Sequence, residues 1–188
     1  MARLEKLHTL LNLIGCEEPL GITYDSDAPE GSITIPSTGG HACVINYLRM
    51  ARTKKHPVHF TADVKGCMGG WVYLGFLLPP PPRIAHFVTT GWEGFEGERY
   101  LPAPESVHRF FKEIDLQLAP APICVAKPLS QFEDAEAPIV AFHCRAEELT
   151  GLSMLASFAL DDTQACAMPF GSGCANIFSW PLTYSNAS

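Results

Sequence analysis

The chain has 188 residues, of which 47% are hydrophobic and 18% charged. That balance excludes a disordered or fibrous chain and suits one domain with a sizeable core. The formal charge of −7, with no long run of lysine or arginine, argues against a nucleic-acid groove or an anionic membrane surface and leaves a small molecule or a protein as the expected partner, with a metal considered below. The charged start Arg3-Leu4-Glu5-Lys6 is unlike a signal peptide, and no stretch approaches the ~18 uninterrupted apolar residues of a membrane span. A cytoplasmic location without membrane contact is therefore expected. Seven cysteines, an odd number with no export signal, favour reduced thiols over a disulfide framework.

In chain order, Leu4, Leu7, Leu10, Leu11 and Ile14 recur at helical spacing and Gly15 follows as a C-terminal stop, which predicts a helix over 3–14. Two β-prone pieces, Leu20 to Tyr24 and Ser32 to Ile35, flank an acidic turn read as a solvated loop. After the break at Pro36 to Gly40, the spacing of Val44, Tyr47, Leu48 and Ala51 predicts a helix ending near Lys54, with Cys43 at its first turn. A strand is expected at 56–61, with His56 and His59 on one solvated sheet face. Gly66-Cys67-Met68-Gly69-Gly70 then leads directly into the apolar segment Trp71 to Leu78, and Pro79 to Pro82 turn a corner. Ile84, Phe87 and Val88 suggest a short helix.

Gly91 to Tyr100 mixes glycines, aromatics and acids, and is read as a surface loop, with a ligand lid as the functional alternative. Pro104 opens a helix with Val107, Phe110, Phe111 and Ile114 on one face. Pro122 to Ala126 and Pro138 to Cys144 are continuous apolar runs of the kind that form strands buried on both faces, so Cys124 and Cys144 are expected in the core. A helix over 146–158, with Leu149, Leu152, Leu155 and Ala156 inward, a short strand at 165–168 with Cys166 packed, and a last helix opened by Cys174 complete the chain. The order of elements predicts an α+β fold: a single mixed α/β domain over 1–188, its central sheet built from the Val58, Ile123 and Ile139 strands and shorter pieces, with helices packed around it. The apolar content and the proline corner are compatible with a homodimer.

One pattern carries chemistry. Cys43, Cys67 and Cys174 each sit near glycines at a predicted helix start, where free N–H groups and the helix dipole lower a thiol pKa. Gly40, Gly66, Gly69, Gly70, Gly171 and Gly173 let backbone N–H groups converge on a thiolate or a ligand. There is no C-x-x-C pair, no P-loop and no dinucleotide fingerprint, so a metal site must gather ligands from distant segments. Three readings follow: an iron–sulfur cluster or zinc held by Cys43, Cys67 and Cys174 with His41 or an exogenous molecule completing the shell; an enzyme or sensor with one low-pKa thiol, Cys67 first, and His41 as base; or a non-catalytic module binding a small anion at helix N-termini. The first requires the three sulfurs to lie in one pocket.

The set His41-Ala42-Cys43, the Val58 to Thr61 strand, Cys67-Met68-Gly69-Gly70 with Leu74-Gly75-Phe76, and Phe170-Gly171-Ser172-Gly173-Cys174 resembles the DUF169 family, common in archaea and anaerobic bacteria. The resemblance spans the first helix to Pro181. It implies a family of unknown function with cysteines at 43, 67 and 174. Relatives continue into a further strand, so a C-terminal piece is expected to be missing or shortened.

Overall fold

Strand β1, Leu20–Asp25, buries its first three residues and is flanked on both sides: Ile22 stands opposite Ala126 of β4 (Ile123–Pro128) and opposite Ile139 of β5 (Ile139–Ala141). The computed structural model describes residues 3–15, 17–35, 43–64, 66–132, 137, 139–161, 166 and 171–186. With β2 (Ile33–Thr34) and β3 (Val58–Thr61), these strands form one sheet in the order β2-β3-β4-β1-β5. β2 runs parallel to β3, and the remaining neighbours are antiparallel. The fold is α+β, with the Val58, Ile123 and Ile139 strands in the sheet as expected. The β-prone piece expected at Leu20 to Tyr24 is β1, and it lies between the last two. The continuous run Cys124-Val125-Ala126 is fully buried because both faces of β4 are covered.

Helix α1 spans Arg3–Ile14, and α2, Val44–Lys54, lays Val44, Tyr47, Leu48 and Ala51 on the sheet. Lys55 closes α2 in the left-handed conformation, its N–H reaching the carbonyls of Ala51 and Arg52. Helix α3 covers only Met68–Tyr73, shorter than the apolar run 71–78 suggested, because Gly75 turns the chain at φ +79°. Trp71 Nε1 donates to Thr61 O at 3.2 Å, fastening α3 to the end of β3. Helices α4 (Arg83–Phe87) and α5 (Pro104–Ile114) follow, α5 burying Val107, Phe110 and Ile114. After α6 (Ala146–Leu160), a π-helical turn at Ala175–Ser179 runs into α7, Trp180–Asn186. Ser179 Oγ donates to Tyr73 O at 2.9 Å, tying this last segment to α3.

Four expectations are corrected. His56 and His59 do not share a face: three residues apart is an odd step on a period of two. His56 precedes β3 and contacts Gly31 O at 2.7 Å, while His59 is buried in β3 with Nδ1 2.7 Å from Ser32 Oγ. In α6, Leu149 and Leu155 are not inward but 48% and 41% exposed. Glu147 and Glu148 are the only charges among its 15 residues, so no polar stripe marks a solvent side, and Glu148 is itself buried. The strand expected to reach Cys144 ends at Ala141, leaving Cys144 half-buried. Cys166 is exposed, with Sγ 3.7 Å from Ser153 O; the rest of the strand expected at 165–168 lies outside the described residues. Among the described residues, no helix is long and apolar enough to cross a membrane.

Candidate functional site

Cys43, Cys67 and Cys174, the last more than a hundred residues beyond the other two, line one cavity of about 260 Å³. Cys43 is the residue before α2 and Cys67 the residue before α3, both with extended backbone. Cys174 immediately precedes the π-helical turn. None of the three cysteine side chains makes a capping hydrogen bond to its helix. Cys43 is exposed, Cys67 half-buried and Cys174 buried, which grades the three from the mouth of the cavity to its depth.

The floor is Gly69-Gly70. A Cβ on Gly69 would lie 3.9 Å from both Cys67 Sγ and the ring edge of Tyr73, and one on Gly70 would lie 3.9 Å from Cys174 Sγ. The same Gly70 Cβ would come within 2.7 Å of Val44 Cγ2. Two adjacent glycines thus let α3 approach the start of α2 and leave room between the sulfurs. Gly173 also lines the cavity, with Ser172. Gly66 does not: the Trp71 ring lies against its backbone, 2.1 Å from where a Cβ would be. Gly171 packs instead on Ala175, 2.8 Å from its own Cβ position. His41 and Gly40 lie outside the described residues.

The opposite wall is apolar. Val107 and Phe110 come from α5, and Phe87 and Val88 from the end of α4. Glu98, Tyr100 and Leu101 complete it. The Gly91 to Tyr100 segment is thus a largely exposed loop whose last residues, Glu98 and Tyr100, also border the cavity. Backbone N–H groups of Glu98, Arg99 and Tyr100 donate to Phe87 O, Thr89 O and Val88 O at 2.8, 3.1 and 2.9 Å. Tyr73 rises from α3 between the two sides, 7% exposed, its ring meeting Phe110 and Phe111 edge-on at 6.4 and 6.2 Å.

Burial, then the neighbouring Cys43 and Cys67, push the Cys174 thiol up to about 12. For Cys174 this reverses the expectation of a lowered pKa at a helix start, because burial outweighs whatever the helix start supplies. Burial and the neighbouring Cys174 and Cys67 raise the Tyr73 phenol, and burial and Cys43 raise that of Tyr47. Among the described residues, no lysine, arginine or histidine lines the cavity, and no group of three Cys, His, Asp or Glu side chains could hold a single metal ion.

The model of the DUF169 family, described as uncharacterised ArCR, matches residues 6–188. The chain belongs to the DUF169 family. Neither the curated proteins nor the solved structures give a match. In this DUF169 chain, sequence reasoning missed Tyr73, Glu98 and Tyr100 as cavity residues and placed Val107 and Phe110 only in the core. The signal for Val107 and Phe110 was present as the apolar face of α5. For Glu98 and Tyr100, only the lid reading of 91–100 pointed to the site.

Proposed function

We propose that this protein binds an iron–sulfur cluster through the thiolates of Cys43, Cys67 and Cys174. The observation that carries the reading is the convergence of these three sulfurs, and none of the other described cysteines, on one cavity. Core-filling cysteines have no reason to gather at three chain breaks around a void. Thiolates sharing one zinc ion must stand within roughly 4 Å of one another, given Zn–S distances of about 2.3 Å in a tetrahedron. The described side chains offer no such single-ion group. A polynuclear cluster holds its thiolates farther apart and suits sulfurs arranged around a cavity.

Charge supports the same reading. Three thiolates in a cavity walled by apolar side chains and Glu98 repel one another, and burial first, then the neighbouring Cys43 and Cys67, raises the Cys174 thiol. A bound iron centre removes that repulsion by replacing protons with positive charge, since coordinating thiols are deprotonated outright. The absence of lysine and arginine from the described lining argues against the alternative of a small-anion site. Three cysteines leave one coordination position of a four-iron cluster to another ligand, and the apolar wall limits what can reach it.

The test is iron and acid-labile sulfide per chain after anaerobic purification, in the wild type and in Cys43→Ala, Cys67→Ala and Cys174→Ala, with the exposed Cys166→Ala as control. Stoichiometric iron and sulfide in the wild type and the control, lost in each of the three cavity variants, are expected. Iron that survives all three substitutions, or a wild-type chain that takes up none on reconstitution with ferrous iron and sulfide, overturns the proposal.

A further inference from the structure

Helix α6 is apolar nearly all round, yet its own chain leaves it almost uncovered. Glu147 and Glu148 are its only charges, and of its described side chains only Glu148 is buried. A helix without a polar face is ordinarily enclosed on every side, and 15 residues alone in water are marginally helical at best. The start of α6 is fixed, since Arg145 N–H donates to Glu148 Oε2 at 2.7 Å and Arg145 Nε to Glu148 Oε1 at 2.8 Å. One face, with Leu149, Leu152, Ser153 and Ala156, lines a groove against β5. The opposite face is turned to solvent.

That solvent face has a repeat of its own. Gly151, Met154, Leu155 and Phe158 stand at i, i+3, i+4 and i+7, the spacing of one helical stripe. Met154 is 69% exposed, Leu155 41% and Phe158 86%, while no atom lies within 4 Å of a Cβ built on Gly151. At about 200 Å² per large side chain, these side chains offer roughly 400 Å² of apolar surface, the scale of patches that mark interaction sites. Two such faces, with the exposed Thr150 and Ala159 at their flanks, approach the ~1,000 Å² of a specific interface.

Charge and shape select the occupant. The helix carries no charge beyond Glu148, so two chains of formal charge −7 can meet along the stripe without opposing like charges at its centre. Glu147 and Asp161 fall at its ends, on the solvated rim. It has no lysine or arginine, which a helix lying on a lipid surface uses for its polar face. The stripe is also complementary to itself. When two copies of α6 cross antiparallel about a twofold axis between Met154 and Leu155, Phe158 of each copy faces Gly151 of the other. The largest projection then enters the gap, and the helix dipoles oppose.

We propose that this protein forms a symmetric homodimer through the solvent face of α6, with Phe158 seated over Gly151 of the second copy. This does not depend on what the cysteine cavity holds.

The experiment is sedimentation equilibrium of the full chain across the micromolar range, with a thiol reductant present so that the exposed Cys43 and Cys166 form no cross-links. The wild type is expected to be a dimer that tightens with added salt, because its seat is apolar and its rims carry like charge. Phe158→Glu and Met154→Glu should each raise the dissociation constant at least ~30-fold while the chain stays folded by circular dichroism. Leu118→Glu, at a leucine 71% exposed elsewhere, should leave the dimer intact. Gly151→Leu fills the gap and should also separate the copies, and adding Phe158→Ala should restore them. Within one chain the two positions lie two helical turns apart, so that rescue has to act between chains. A wild type that is monomeric throughout overturns the proposal; if that monomer floats with phosphatidylcholine vesicles and Phe158→Glu does not, the face belongs to lipid instead. A dimer indifferent to both glutamate substitutions has its interface elsewhere and overturns it too. Unfolding of both glutamate variants would mean that the stripe is packed within its own chain, again overturning it. A failed rescue refutes the seating of Phe158 on Gly151.

Discussion

Replacing Gly69 and Gly70 by alanine, one at a time, separates the packing of α3 from the emptiness of the site. Both residues are buried members of the same short helix, so the gain from removing a helical glycine, up to about 1 kcal/mol, is shared and cancels in the comparison. The surroundings differ. At Gly70 the new methyl would stand 2.7 Å from Val44 Cγ2, and Val44 is fully buried between α2 and the sheet. Overpacking of that kind costs about 1–3 kcal/mol. At Gly69 the nearest atoms are at 3.9 Å, an ordinary contact with no strain. The metal-free Gly70→Ala chain should thus be roughly 1–3 kcal/mol less stable than metal-free Gly69→Ala, measured by urea unfolding with equal m-values. Gly69→Ala should remain folded but load less iron, because its methyl enters the space between Cys67 Sγ and Tyr73. Equal stability of the two variants would refute the account of why α3 carries two glycines.

Other outcomes follow from the same geometry. In the metal-free chain the Cys174 thiol is raised from its ordinary 9.0 to about 12. The folded state therefore holds a proton that the unfolded state has lost across that window, so the thiol's contribution is complete below pH ~9 and disappears as pH rises toward 12. The stability of the wild type relative to Cys174→Ala should fall over that range and stay constant below it, as urea midpoints against pH would reveal. Ser179→Ala, which removes the 2.9 Å bond to Tyr73 O, should cost about 1–3 kcal/mol because a buried carbonyl loses its donor; an unchanged urea midpoint would contradict it. Replacing Phe178, fully buried in the core, by alanine should cost about 3–5 kcal/mol, read in the same assay.

Much of the framework was legible where a pattern repeats locally. The stripes Val44-Tyr47-Leu48-Ala51 and Val107-Phe110-Ile114 gave α2 and α5 their positions, and the unbroken Ile123 to Ala126 run announced a central strand. The three cysteines were legible as a set because each stands at a break before helix, and that is a local property. What failed is what depends on the third dimension. The raised Cys174 thiol comes from burial and from sulfurs 131 and 107 positions away in the chain, and no window of sequence contains them. The wall formed by Glu98 and Tyr100 exists because the chain after Gly91 bonds back to the end of α4. Helix α6 was found but its inward face was not, since leucines almost all round give periodicity nothing to select. Gly66 and Gly69 look alike in sequence, yet the Trp71 ring occupies the space beside one and the site opens beside the other.

The central claim is that three sulfurs jointly hold one iron–sulfur centre, and the visible absorption spectrum of the anaerobically prepared protein tests it most directly. The account predicts a brown protein with broad sulfur-to-iron charge-transfer bands that bleach on one-electron reduction and vanish in Cys43→Ala, Cys67→Ala and Cys174→Ala alike. A colourless wild-type chain after reconstitution, or a spectrum indifferent to any one of those three cysteines, would contradict it.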